Sequence, residues 1–316
     1  MLKSPLTPLS RTIIRLARHN HVIKVTQWGT PLKDAKHVIV YVGGMPASAE
    51  EPALHSCVSN ATSEDPYGSR KVHLLCIDKP GMGYSSFQYN FSIRKDWPQI
   101  VDSVLLHFNI TTNYGIIGVS NGGPYVMACL LDQPSRKLRV KAAAIVVGVS
   151  HDTWKSGYYS WSKPNTIMEG IFNSLPLFIM APWNALALNL GSIYLMYLGG
   201  FERHLGNFLS TTSKGVVQTI LLDSAANFGL GAALDCQQVL SMLYASPNNK
   251  ASLQDIQVPV TLWYGTKDST VPMTSAEWLN RQLSNSTLRK VPAGHELFWT
   301  HLDEVLDDLV TKMSEG

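Results

Sequence analysis

An apolar, strand-like run from Tyr114 to Val119 delivers a serine between two glycines, Gly118-Val119-Ser120-Asn121-Gly122, and a helical pattern follows at once. A turn from strand to helix in so few residues strains the serine backbone and leaves no room for bulk two positions before or after it. Gly118 and Gly122 are therefore read as steric requirements, and Ser120 as a hydroxyl standing clear of a sheet edge, where a base can take its proton. The pentapeptide recurs by chance in many chains, so its meaning depends on partners elsewhere.

Those partners occur in the order serine, acid, histidine. Val258 to Tyr264 reads as a β-branched and aromatic strand that ends in Gly265-Thr266-Lys267-Asp268, a turn carrying an acid. One helix pattern (Thr274 to Leu283) and one short strand (Thr287 to Val291) later, Pro292-Ala293-Gly294-His295 places a histidine on a loop before the last helix. Serine becomes a useful nucleophile when a base accepts its proton, imidazole titrates near neutrality, and a buried carboxylate fixes its tautomer. Ser120, His295 and Asp268 are the candidates for these roles; Asp152, after the sixth strand, is the rival acid. The developing oxyanion needs backbone donors, for which Asn121 supplies one and Met45, after the strand Val38 to Val42 and the turn Gly43-Gly44, the other.

Three stretches carry a family resemblance: Gly43-Gly44-Met45-Pro46-Ala47-Ser48, Asp78-Lys79-Pro80-Gly81-Met82-Gly83-Tyr84-Ser85, and Gly118 to Tyr125 ending Gly122-Gly123-Pro124-Tyr125. Over residues 36 to 149 and 256 to 300 the chain resembles the α/β-hydrolase superfamily, in its serine-nucleophile branch. The resemblance implies an α/β fold with a mostly parallel eight-stranded sheet flanked by helices, and a helical cap inserted after strand six. It also implies that Asp78 and Ser85 belong to a structural turn. The chain departs from the family pattern at Gly43, where that branch has histidine, and at Lys79, where it has arginine. The first removes a side chain that braces the oxyanion loop, so a more mobile loop is expected; the second reduces a bidentate contact to a single charge.

The domain organisation expected is a core from 1 to 149, a cap from 150 to 249 and a second core part from 250 to 316. Strand and helix alternate up to the sixth strand, Val140 to Gly148, and again after residue 250; between them the chain is rich in Trp, Tyr, Met, Leu and Asn. With 316 residues, 45% of them hydrophobic, the chain can bury a large core. Its net charge of +3 is spread without a basic block, which sets nucleic acid aside. Cys57, Cys76, Cys129 and Cys236 lack C-x-x-C spacing, and a reduced, cytoplasmic protein is the simpler reading. The acid-free start up to Asp34 carries Lys3, Arg11, Arg15 and Arg18, as a mitochondrial presequence does, but the β-branched runs Thr12–Arg18 and Val22–Trp28 read better as an opening hairpin.

Within the cap, Ile171 to Phe201 contains no charge. Pro176, Pro182, Asn173, Asn184 and Asn189 interrupt it, so a transmembrane helix is not expected; the favoured reading is apolar helices that roof the active site, with a face that docks on lipid as the alternative. A pocket lined by Trp161, Phe172, Phe178, Met180 and Trp183 would suit an apolar acyl or alkyl group. The reading is a serine esterase acting on an apolar ester, with no cofactor and no metal. The alternatives are a prolyl-aminopeptidase-like enzyme, whose cap must offer carboxylates to an amine, and a slow-hydrolysing receptor on the same fold.

Overall fold

The computed structural model describes residues 5–16, 21–57, 65–132, 139–150, 176–206, 209, 213–243 and 253–315. Eight strands make one sheet: β1 (Ser10–Arg15), β2 (Val22–Gly29), β3 (His37–Val42), β4 (Val72–Ile77), β5 (Tyr114–Val119), β6 (Val140–Val146), β7 (Val260–Gly265) and β8 (Ser286–Val291). Their spatial order is β1-β2-β4-β3-β5-β6-β7-β8. The hairpin expected at the start is there, with Arg15 opposite Val22, and β2 also runs antiparallel to β4. All other neighbours are parallel.

The sequence of each strand explains its place. β4 and β5 are buried at every residue, as nearly continuous apolar runs require of strands covered on both faces; the one polar residue, His73 of β4, bonds the Thr30 carbonyl through Nδ1 at 2.9 Å. β8 lies at an edge and exposes Arg289 and Lys290, charges that discourage pairing with another chain. One face is covered by α1 (Ile93–His107), α2 (Gly123–Leu131) and α7 (Met273–Gln282), through Trp97, Val101, Val126 and Leu279 among others. The other is covered by α8 (Leu297–Thr300) and α9 (Leu302–Glu315). Leu302, Val305, Leu306 and Leu309 of α9 fall on one helical stripe and are buried.

Between β6 and β7 lie α3 (Leu177–Tyr197), α4 (Gly200–His204), α5 (Lys214–Ala225) and α6 (Leu230–Leu243). The expectation that prolines and asparagines would break the apolar run here is wrong. α3 runs unbroken through Pro182, and Phe178–Tyr197 is long and apolar enough, by length and composition, to cross a membrane. Proline lacks the N–H that would bond the Phe178 carbonyl; because Pro182 lies on an exposed face, that carbonyl can turn outward instead of being stranded in the core.

A second expectation also needs correction. Phe178 and Trp183 are 72% and 70% exposed and form no enclosed wall, whereas Met180 is buried against Ala181 and Ala233. A helix apolar on every side gives the sequence no means of choosing the buried face. Trp161, Phe172 and the rival acid Asp152 lie outside the described residues.

Candidate active site

The strand-to-helix turn has the strain its glycines imply. Ser120 sits at φ +50°, a left-handed conformation that a serine adopts only when its surroundings impose it. A Cβ on Gly118 would lie 2.5 Å from the Gly122 carbonyl oxygen, and one on Gly122 would lie 2.3 Å from that of Val42. Both positions therefore exclude any other residue, and β3 packs directly under the turn.

Three elements converge on the hydroxyl. The loop after β7 carries Asp268, whose side chain is fully buried; its Oδ1 accepts the amides of Thr270 at 2.6 Å and Val271 at 2.9 Å. With that oxygen tied down, Oδ2 faces His295 Nδ1 at 2.9 Å, and His295 Nε2 lies 3.2 Å from Ser120 Oγ. Glu296, next in sequence, turns back to accept the Gly294 amide at 2.9 Å and takes no part. A carboxylate on Nδ1 keeps that nitrogen protonated and leaves Nε2 as the acceptor facing the hydroxyl. The arrangement can draw a proton from Ser120 and return it to a leaving group.

The loop after β3, where the sequence places the second oxyanion donor, runs beside the serine: a Cβ on Gly44 would lie 3.1 Å from that of Ser120. Asn121 is the second residue of the helical turn Ser120–Gly122, where backbone N–H groups lack intrahelical partners. The Met45 N–H meets no acceptor among the described residues. Both amides are thus free to donate, as the sequence reading requires of an oxyanion pair.

The loop is not left loose by the missing histidine. A Cβ on Gly43 would approach Glu51 Oε2 to 2.7 Å, so the buried Glu51 carboxyl stands against the backbone of position 43. Lys79 Nζ donates to the Gly44 carbonyl at 2.9 Å and pairs with Asp235 of α6 at 3.1 Å, both side chains being buried. Asp235 also accepts from the Tyr125 hydroxyl at 2.5 Å and Asn121 Nδ2 at 3.3 Å. Farther along, Ser224 of α5 accepts the Ala47 amide at 2.8 Å and donates to its carbonyl at 2.9 Å, and Ser48 donates to Asp223 at 2.5 Å. Helices α5 and α6 thus hold the loop after β3. Sequence reasoning singled out Lys79 and quoted Tyr125 within the motif, but it did not foresee that Asp235 and Ser224, remote in the chain, would join them here.

Asp78 and Ser85 serve the turn they were assigned to: Asp78 accepts the Ala49 amide at 2.5 Å, and the Ser85 hydroxyl donates to the Asp78 carbonyl at 2.9 Å. Burial raises the carboxyls of both Glu51 and Asp78 to about 7. Burial, with Asp235 beside it, pushes the Tyr125 phenol well up, so Tyr125 stays a donor. A cleft of about 560 Å³ between the hairpin and α5 is lined by Arg11, Lys24, Glu50, Tyr84 and Asp223 but by no member of the Ser120 constellation. All four cysteines are free, three of them buried.

A family model described as alpha/beta hydrolase fold matches residues 37–302. The chain is 30% identical over 93 residues to a pimeloyl-(acyl-carrier protein) methyl ester esterase of Aromatoleum aromaticum, a match covering 28% of this chain and 34% of that protein. Among solved structures, an esterase from Exiguobacterium antarcticum superposes with a TM-score of 0.65 at 15% identity, covering 96% of this chain and all (100%) of that one. An enol-lactonase from Burkholderia xenovorans does so with a TM-score of 0.60 at 13% identity, again over 96% and 100%. At such identities the structural likeness speaks for the fold.

Proposed function

The chain belongs to the alpha/beta hydrolase fold family, and from that footing we propose that it is a serine hydrolase cleaving carboxylic esters with an apolar acyl or alkyl group. The observation that carries the reading is the His295 imidazole bridging Ser120 Oγ and the buried Asp268. In the first half-reaction Ser120 Oγ bonds to the ester carbonyl carbon while its proton passes to His295 Nε2. The oxygen of the tetrahedral species takes its negative charge between the Met45 and Asn121 amides. The C–O bond to the alcohol then breaks, the proton leaves on the alcohol, and an acyl-Ser120 remains. Water repeats the sequence: its oxygen bonds to the acyl carbon, its proton goes to His295 and returns to Ser120, and the acid departs. Asp268 remains ionised throughout and stabilises the imidazolium.

Support for an ester comes from the methyl ester that gives the Aromatoleum aromaticum relative its name, and support for an apolar group from the inner side of α3, where Leu188 packs with Met45 and Ala47. Against the peptidase alternative stand the cap carboxylates themselves. Asp235 is engaged by Lys79 and Tyr125, Asp223 by Ser48 and Lys24, and Glu202 by Lys214, so each of these three described acids already has a cationic partner; Asp152 and Glu169 lie outside the described residues. Specificity constants for p-nitrophenyl esters of graded length, beside proline β-naphthylamide, test the reading. Each methylene entering an apolar site gains up to about 0.8 kcal/mol, roughly fourfold in kcat/KM, so medium-chain esters should exceed acetate. Acetate winning outright, or turnover of the proline substrate alone, would remove it.

A further inference from the structure

Helix α3 is inside out. Ile179, Trp183, Leu186, Leu190, Ile193 and Tyr197 recur at intervals of four and three residues, which puts them on one line along the helix, and all six are exposed. The line is about 27 Å long at 1.5 Å per residue. On the opposite side Ala181 and Ser192 are buried, and Leu188 packs with Met45 and Ala47 of the oxyanion loop. The hydroxyl of Ser192 thus faces the protein while the bulkiest apolar groups face outward, the reverse of a helix built to meet water. Only 17% of its most apolar window is buried, so it is not a core helix either. Beside it, Gly229 lies so close to the Ala181–Ala185 backbone that a Cβ would come within 2.6 Å, and the preceding Phe228 is held at φ +56° with its ring 82% exposed. A bulky residue at that φ is strained, and here no burial of the ring repays it.

We propose that the outer face of α3 docks in the plane of a lipid surface, α3 lying flat at the headgroup boundary with the oxyanion loop one helix diameter behind it. Two features favour lipid over a second protein copy. An interface between proteins carries a hydrogen bond for every 100–200 Å² or so, usually around a polar rim. The line on α3 itself offers only the Trp183 indole N–H toward one end and the Tyr197 hydroxyl at the other; the exposed Asn189 beside it turns its amide back to the Ala185 carbonyl at 2.7 Å. Amphipathic rings toward both ends of an apolar stripe suit a helix at the lipid boundary, where one part of the ring is dry and the other wet. The stretch from Ile171 to Phe201 also has no charge with which to select a protein partner or an anionic headgroup, so the surface required is hydrocarbon-rich and need not be acidic.

Docking does not depend on the chemistry at Ser120, so the test uses Ser120→Ala protein and phosphatidylcholine vesicles, read by co-sedimentation. The expected result is binding that barely changes between about 0.05 and 0.5 M salt, since no ion pair is involved, and Trp183 fluorescence quenched by brominated lipid. Leu190→Glu with Ile193→Glu should cut partitioning by at least about tenfold, because two charges would have to enter the boundary, while leaving the thermal melt unchanged. Maleimide should label Leu190→Cys in solution and be excluded by vesicles. The proposal is overturned by an absence of binding at millimolar lipid, or by binding that needs anionic lipid and is abolished by salt. It is equally overturned if Leu190→Cys is unreactive without lipid, which would mean the chain covers this face itself. A dimer in sedimentation equilibrium that the two glutamates dissolve would assign the face to a second copy.

Discussion

Asp235→Asn probes the brace behind the loop after β3, the loop proposed to carry the Met45 oxyanion donor. In the folded protein the Lys79 ammonium has three neighbours: the Gly44 carbonyl at 2.9 Å, Asp235 at 3.1 Å and the Tyr125 ring, 4.8 Å to its centroid. Removing the carboxylate leaves a buried cation with one carbonyl and one ring face, and breaking a buried pair from one side costs about 3–5 kcal/mol. Replacing the pair by apolar groups of similar volume, Lys79→Met with Asp235→Leu, removes both charges together and should recover most of that loss. The double variant still lacks the bond to the Gly44 carbonyl, one residue before Met45, so its turnover should not recover. Losing or misplacing one oxyanion donor lowers kcat by roughly 10²–10³-fold. Urea unfolding midpoints and kcat on a soluble p-nitrophenyl ester read the two quantities separately. If turnover returns with stability, or if Asp235→Asn moves stability by no more than about 0.5 kcal/mol as an ordinary surface substitution would, the network does not position the loop.

The remaining predictions concern the relay and the buried carboxyl. Asp268→Asn should keep the fold, since an amide oxygen can still accept the Thr270 and Val271 amides, yet present the wrong group to His295 and lower kcat by on the order of 10⁴, by analogy with the serine-protease triad; Asp152→Asn should cost little, and the reverse outcome would move the acid to the loop after β6. Burial holds the Glu51 carboxyl at about 7 against an ordinary 4.5, so between those values the folded protein keeps a proton the unfolded chain has lost, and stability falls as pH rises through that window. Glu51→Gln does not titrate, so its stability relative to wild type should climb by on the order of 3 kcal/mol between about pH 4.5 and 8. A flat difference across that range, measured by denaturant titration, would place the group in contact with water.

The core was legible because its signals are local. β5 and the turn at Ser120 follow from an apolar run ending in glycines that nothing else can replace, and β3, β7 and β8 end within two residues of where their apolar patterns do. α1 shows the limit of that reasoning. The sequence pattern reads as a helix over Trp97 to Phe108, yet the helix begins at Ile93, where Asp96 accepts the Ser92 amide at 2.7 Å and builds a first turn ahead of Pro98. The network at Lys79 left no local trace. Its partner Asp235 lies 156 residues away, and nothing near either residue marks the pairing. The loss of histidine at Gly43 suggested a loose loop for the same reason, since Glu51, Lys79 and Ser224 reach it from elements whose mutual placement only the fold decides. In α3 both faces are apolar, so the spacing that would reveal a buried stripe describes the outward one equally well.

Ser120 as the nucleophile is tested most directly by covalent capture. The protein is treated with a fluorophosphonate probe and the adduct located by mass spectrometry of its peptides. The account predicts a single modified residue, Ser120, with labelling abolished in Ser120→Ala and strongly slowed in His295→Ala, because without the imidazole nothing draws the hydroxyl proton. Labelling at Ser85 or Ser150, or undiminished labelling of Ser120→Ala, would contradict it.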